Sequence, residues 1–279
     1  MKSSWMIVAG LLFGLMGVFV KLGAPYFSSA ELVFYRSIIG LVVIFGIVRT
    51  QGLSLATPHV ASHLWRGLSG FLALMLFFYA ISALPLATAI TLNYTSPLFL
   101  ALLLTLWLKE NPHWRLIGAI LLGFLGVILL LRPSLHAEQI KGGLMGLASG
   151  FLAGFAYLNV KQLGAMGEPE WRVVFYFTLF STIGAGAWML LHEFHAVSWQ
   201  TLPILIGLGT TATLAQLAMT RAYRIGNTLV VASLAYTTVI FASLFGILFW
   251  HEWLSPLSWL GIGLIVSSGV LSAFWCPSK

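Results

Sequence analysis

Apolar residues arrive in long runs, separated by short stretches that carry proline, glycine and charge. A helix needs about 20 apolar residues to cross the hydrocarbon core of a bilayer. Measured against that length, the pattern predicts ten transmembrane helices, at 5–22, 30–48, 64–83, 87–108, 115–131, 142–160, 171–191, 202–222, 229–250 and 256–275. The connections are short, the longest at 49–63 and 132–141, and leave no room for an appended soluble domain. In lipid the backbone must satisfy its own hydrogen bonds, so open sheets are excluded. A β-barrel is excluded as well, because its strands would alternate apolar and polar positions. Lys2 followed by the run Trp5–Val20 has the outline of a signal peptide, but it lacks a small-x-small cleavage site and reads as an uncleaved first helix.

Charge gives the helices an orientation. With the N-terminus inside, the cytoplasmic segments hold Lys2, Arg49, Arg66, Lys109, Arg115, Lys161, Arg172, Arg221, Arg224 and Lys279. The opposite side holds Lys21, Arg132 and Lys141, a clear positive-inside bias. Both termini are therefore expected in the cytoplasm, and the even helix count agrees. The expected location is the plasma (inner) membrane, as a multi-pass protein.

The two halves are related. Lys21-Leu22-Gly23-Ala24 recurs as Gln162-Leu163-Gly164-Ala165, and Val33-Phe34-Tyr35 as Val174-Phe175-Tyr176, both at an offset of 141. The helix with Tyr94 and Glu110 matches the one with Tyr236 and Glu252 at 142; Gly118 and Gly126 match Gly261 and Gly269 at 143. A nearly constant offset in constant order is the signature of duplication. The repeats are expected at 1–133 and 142–275. Five helices per repeat is an odd number, so the halves should lie inverted in the membrane, a plan in which substrates bind near the midplane where the halves meet.

Composition narrows the function. Of 279 residues, 59% are hydrophobic and 8% charged, against about 25% charged in a soluble domain. The surface must face lipid. The net charge of +7 comes from basic residues scattered singly, which suits helix flanks and not nucleic acid. One cysteine, Cys276, can form neither an internal disulfide nor a metal cage, and no metal or cofactor is expected. Aspartate is absent, and none of the seven glutamates lies in the middle of an apolar run.

Family resemblance rests on several of these features together. Two five-helix halves, Arg36 early in the second helix, Leu-Pro-Leu-Ala at 84–87, Asn93-Tyr94-Thr95-Ser96-Pro97 leading to Lys109-Glu110, and the glycine-rich run Gly118–Gly126 resemble the EamA-type repeat of the drug/metabolite transporter superfamily. The resemblance covers essentially the whole chain. It implies a ten-helix carrier with both termini inside, a central cavity between the halves and alternating access. The second half departs from the pattern, with Val239 where Pro97 would stand and Phe177 where Arg36 would.

Candidate chemistry lies on polar positions within apolar runs. Arg36 is the one ionised residue these boundaries place well inside a helix, where an arginine costs at least about 2.5–3.5 kcal/mol at the bilayer centre. It could anchor a carboxylate or phosphate, or else snorkel or pair with Glu31. Pro97 removes an N–H and frees the carbonyl of Asn93, predicting a kink beside a polar amide. Helical spacing puts Thr91, Tyr94 and Thr95 on one face, and Ser233, Tyr236 and Thr237 on its counterpart. Gly209, Thr213, Gln216 and Thr220 form a stripe along the eighth helix. Tyr79, Tyr157 and Asn159 complete the candidate substrate-binding set of Arg36, Tyr79, Asn93, Tyr94, Tyr157, Asn159, Thr213, Gln216 and Tyr236. Each could equally serve packing. The ridge Gly143, Gly146, Gly150 and Gly154 reads as a surface for close helix approach. The seven histidines fall in loops or at helix ends and read as surface residues.

These features predict a secondary transporter for a small organic metabolite, with amino acids or related carboxylates and zwitterions favoured by Arg36. An intramembrane enzyme is the rival, but it needs a nucleophile and base, and Ser149 has no apparent base. A non-transporting assembly subunit is the second rival. Without an intramembrane carboxylate to relay protons, uniport or exchange is the expected mode. No Gly-x-x-x-x-Gly-Lys-Ser/Thr motif points to nucleotide hydrolysis.

Overall fold

The computed structural model describes residues 2–84, 86–109, 113–131, 140–192, 194–251 and 255–275, and among them the secondary structure is helical throughout. Pro85, Glu110, Arg132, His136, Glu138, Glu193, Glu252, Cys276 and Lys279 lie outside the described residues. The helices are α1 (Trp5–Gly23), α2 (Ser29–Thr50), α3 (Val60–Ala83), α4 (Leu86–Asn93), α5 (Ser96–Leu106), α6 (Trp114–Leu131), α7 (Ile140–Ala165), α8 (Glu170–Leu191), α9 (Leu202–Ile225), α10 (Thr228–Leu234), α11 (Thr237–Trp250) and α12 (Pro256–Trp275). Nine described stretches are long and apolar enough to span a bilayer; in the tenth, the apolar stretch Pro256–Ser272 is shorter. Large apolar side chains such as Val42, Leu121, Ile183, Leu248 and Val270 stand exposed around the outside. An apolar surface of that extent is a surface for lipid.

Two of the ten spans are broken. The fourth span stops at Asn93 and resumes at Ser96, and the ninth stops at Leu234 and resumes at Thr237. Pro97 sits in the first turn of α5, so it starts a helix and does not kink one. The ninth span breaks with Val239 in the equivalent place, so proline is not the common cause. A threonine is. Thr95 Oγ1 donates to Leu92 O at 2.5 Å, and Thr237 Oγ1 donates to Leu234 O at 2.7 Å. A hydroxyl bonded three residues back competes with the helical ladder. The backbone answers with tighter i→i−3 bonds: Leu98 N to Thr95 O at 2.9 Å, and Val239 N to Tyr236 O at 3.0 Å. Such tight segments within a helix often mark hinges.

Packing repeats under exchange of span n with span n+5. The third span packs on the sixth as the eighth packs on the first; the fourth lies on the sixth as the ninth lies on the first; the second meets the seventh and the fifth meets the tenth. Glycines set the closest approaches. A Cβ on Gly150 would sit 2.7 Å from Leu92 O, and one on Gly10 would sit 2.7 Å from Thr237 Oγ1, so each broken span is seated against a glycine of its partner. Gly126 and Gly261 face each other reciprocally, each hypothetical Cβ 2.6–2.7 Å from the other's carbonyl oxygen.

Several helices start earlier or run longer than expected. α3 begins at Val60 instead of 64, which carries His63 into the span and places Arg66 a turn deeper in it. α2 begins where its sequence says it should: Ser28 and Glu31 form a capping box, with Ser28 N to Glu31 Oε2 at 2.6 Å and Glu31 N to Ser28 Oγ at 3.3 Å.

The seating of α7 on the broken span predicts a sharp contrast between two alanine substitutions. Gly150→Ala places a Cβ against backbone and should cost about 1–3 kcal/mol, as overpacking does. Gly118→Ala meets nothing within 4 Å and gains helix propensity, so it should leave stability unchanged or slightly raised. Thermal unfolding of the detergent-solubilised protein reads both; equal behaviour of the two variants would refute the close seating.

Candidate functional site

The residues that sequence singled out separate into a central group and outliers. A small cleft between the halves is lined by Arg36 of α2, by Phe177 and Thr178 of α8, and by Ala212, Thr213 and Gln216 of α9. Its walls are drawn together, leaving room for little more than a water. Arg36 is 9% exposed. It does not pair with Glu31, whose oxygens take Ser28 N and both the backbone N and Nδ1 of His195. Thr213 Oγ1 donates to Gly209 O of its own helix at 2.6 Å and also packs against Gly40 of α2. Gln216 is buried, one turn along from Thr213.

A second guanidinium corrects the expectation that Arg36 is alone inside a helix. Arg66, which the sequence pattern assigns to a cytoplasmic flank, is 2% exposed, and its guanidinium lies over the Phe177 ring at 4.2 Å. The longer α3 accounts for this, since six residues of helix precede Arg66. Arg66 Nε and Nη1 have no hydrogen-bond partner. Among the described residues, the groups that act electrostatically on the pair are Tyr157 and, for Arg66, Arg36 itself. No described carboxylate does. Phe177, which stands where an arginine would in the second half, thus lies under Arg66 and lines the same cleft as Arg36.

From Tyr157 a line of tyrosines runs through the bundle. Tyr157 stacks on Tyr223 with centroids 5.3 Å apart and planes at 17°. Tyr223 and Tyr236 are within electrostatic reach of each other, and Tyr236 meets Tyr94 at 6.2 Å. The hydroxyls of Tyr223 and Tyr236 are buried with no hydrogen-bond partner. Tyr223 extends the 209–213–216–220 stripe by one further step of three, so the signal existed; ending the helix at 222 hid it.

The remaining candidates are engaged elsewhere. Tyr79 is 42% exposed, with Lys141 Nζ 5.9 Å from its ring, and stands apart from the cleft. Asn93 Nδ2 donates to Ser149 Oγ at 3.1 Å, tying the break in the fourth span to α7. Asn159 Nδ2 donates to Phe155 O of its own helix at 2.8 Å. Ser233 bonds Ser272 of α12 at 2.6 Å, so its polar face splits between packing and the tyrosine line. Ser149, the faint nucleophile, donates to Gly146 O.

Each face of the bundle is closed by a glutamate–histidine contact. On one face Glu31, at the start of α2, holds His195 of the α8–α9 connection. On the other, Glu168 between α7 and α8 accepts from Thr57 Oγ1, lies 3.3 Å from His63 Nε2 and pairs with Arg172 at 2.9 Å. Arg172 Nη2 also reaches Ser54 O at 2.8 Å. His63 and Glu168 are buried, which corrects the reading of every histidine as a surface residue. The two clasps join equivalent connections of the two halves.

A helical bundle with two broken spans, a lipid-facing exterior and buried cations at the junction of its halves has the form of a membrane transporter. The EamA-like transporter family matches twice, at residues 2–132 and 140–274, and the chain belongs to that family. The pseudopaline exporter of Pseudomonas aeruginosa (strain UCBPP-PA14) is 31% identical over 260 residues, 93% of this chain and 91% of that protein. An uncharacterized transporter of Helicobacter pylori (strain J99) is 30% identical over 278 residues, covering 97% and 93%. The riboflavin transporter of Vibrio cholerae is 28% identical over 282 residues, covering 99% and 93%. A solved crystal structure superposes with a TM-score of 0.85 at 18% identity over 98% of both chains, which shows the fold alone. The chain is a multi-pass membrane transporter for a small molecule, not an enzyme.

The Glu168 clasp makes stability depend on acid. Burial alone would raise this carboxyl; hydrogen bonds from Thr57 and Arg172, the neighbouring His63 and the Arg172 charge outweigh it and hold the group below its ordinary value of 4.5. A carboxyl lowered in the folded state stabilises above its unfolded value and loses that contribution as pH falls through the folded one. Wild-type stability should therefore drop below about pH 4.5 more steeply than that of Glu168→Gln. At pH 7 the variant should be less stable by about 1.5–3 kcal/mol, the worth of hydrogen bonds to a charged group. Thermal unfolding across pH 3–7 compares them; parallel curves would remove the clasp.

Proposed function

We propose that this transporter is a secondary carrier working by alternating access. Its substrate is a small organic metabolite bearing a carboxylate, zwitterions such as amino acids included. It acts by uniport or exchange in the plasma (inner) membrane, its two five-helix repeats inverted and both termini cytoplasmic. The observation that carries this reading is the buried Arg36 guanidinium in a cleft between the halves, beside Thr213 and Gln216, with no described carboxylate acting on it. A buried cation without a protein partner is stabilised by an anion that arrives as ligand. Tyr157, Tyr94 and Tyr236 supply aromatic surface and hydroxyls along the same axis; Asn93 and the two broken spans supply the hinge. The pairing of spans n and n+5 supports the repeats, and the names of the pseudopaline and riboflavin transporters support an organic cargo.

Two experiments follow. In proteoliposomes, Arg36→Gln should raise the apparent Kd for a carboxylate substrate by about ten- to a hundred-fold, on the order of 1.5–3 kcal/mol. The amide analogue should be affected far less; equal loss for both would make Arg36 structural, and a plain organic cation as substrate would sink the charge argument. Reporter fusions after Thr57 and Ala165 should read cytoplasmic, and those after Pro25 and His195 external. A consistent reversal would remove the assigned orientation.

A further inference from the structure

Arg36 and Arg66 come from opposite faces of the bundle, since α2 and α3 are consecutive spans and each arginine lies in the first turns of its helix. Both reach Phe177: Arg66 covers the ring at 4.2 Å, and Arg36 shares the cleft wall with it. A ring face compensates a buried guanidinium only in part. Two like charges around one ring also raise each other's energy. A single carboxylate can serve one fork bidentately and leaves the other unmet. Arg66 Nε and Nη1 and the hydroxyls of Tyr223 and Tyr236 are buried donors that no protein acceptor takes. Leaving such donors unpaired is costly, so a ligand that supplies acceptors to them gains accordingly.

We infer that the substrate carries two anionic groups, carboxylate or phosphate, one for each guanidinium, with its carbon skeleton laid along the Phe177 ring between them. This inference rests on the anion-carrier reading above and adds the second charge. It also gives the loss of symmetry at Phe177 a role. An arginine there would add a third cation, whereas phenylalanine separates two and offers them a face.

Matched pairs differing by one anionic group test it. The purified full chain in detergent is titrated with isophthalate against 3-carbamoylbenzoate, glutamate against glutamine, and O-phosphoserine against serine, following thermal stabilisation and directly measured Kd. The carboxylate and phosphate arms separate the two sources of the second charge. At least one doubly anionic member should bind about ten-fold or more tightly than its partner. Arg66→Gln should bring that ratio down to about three-fold or less. Arg66→Lys keeps a charge without the planar fork, should fold where the glutamine variant does not, and should reduce the ratio for carboxylates. An unchanged ratio in whichever variants fold overturns the inference. So does equal binding within every pair, or stabilisation by none of the doubly anionic probes. Equal binding that still depends on Arg36 would leave the single-anion reading standing; stabilisation by organic amines alone would remove both.

Discussion

In hydrocarbon, every backbone polar group that leaves a helical ladder must find another partner within the protein. The fold is organised around two places where the ladder is given up, after Asn93 and after Leu234. Each break is closed by the same device, a threonine hydroxyl on a leucine carbonyl three residues back. Each is then sheltered by a helix whose glycine lets it approach to backbone contact, Gly150 in one half and Gly10 in the other. A side chain at either glycine would hold the partner helix off and leave the freed carbonyls facing lipid or void. The glycine ridge along α7 and the polar residues at the breaks are therefore one feature seen from two helices.

The scaffold is symmetric and its centre is not. The two breaks and the two glutamate–histidine clasps exchange between halves. Arg36 and Arg66 both belong to the first half, while Phe177, Thr213, Gln216 and Tyr223 belong to the second. A hinge and a clasp must act alike at both faces, which favours keeping the duplicated pattern. No such constraint acts on the central residues, and there the halves diverge.

What could be read from the sequence follows from the same physics. Long apolar runs have one solution in lipid, so the ten spans were legible, and the constant offset exposed the repeat. Arg36 was legible because it interrupts an apolar run. Arg66 was not, because Ser62, His63 and Arg66 resemble a flank; the structure starts the helix at Val60 and buries His63 and Arg66 on its inward face. The break in the ninth span was missed for a different reason. Val239 stands where the fourth span has Pro97, so no proline marks the ninth, and Thr237 carries the signal instead. Tyr79 was misleading because a tyrosine in an apolar run has the same appearance whether it faces a cleft or a headgroup.

The clasps and the cations set opposing demands. Glu168 and Glu31 tie the connections of both faces, and between them Arg36 lines a narrow cleft whose Phe177 ring lies under the Arg66 guanidinium. A low local dielectric strengthens the repulsion between the two guanidiniums. On the proposed anion-carrier reading, the closed arrangement without an anion works against itself, and release of either clasp would relieve it by admitting water. An anion between the arginines would put attraction in place of repulsion and favour closing. A ligand shifts a conformational equilibrium only by its differential affinity for the two states. On the same reading that differential would come from the cations themselves: the charge that selects an anionic cargo would also disfavour shutting both faces without it.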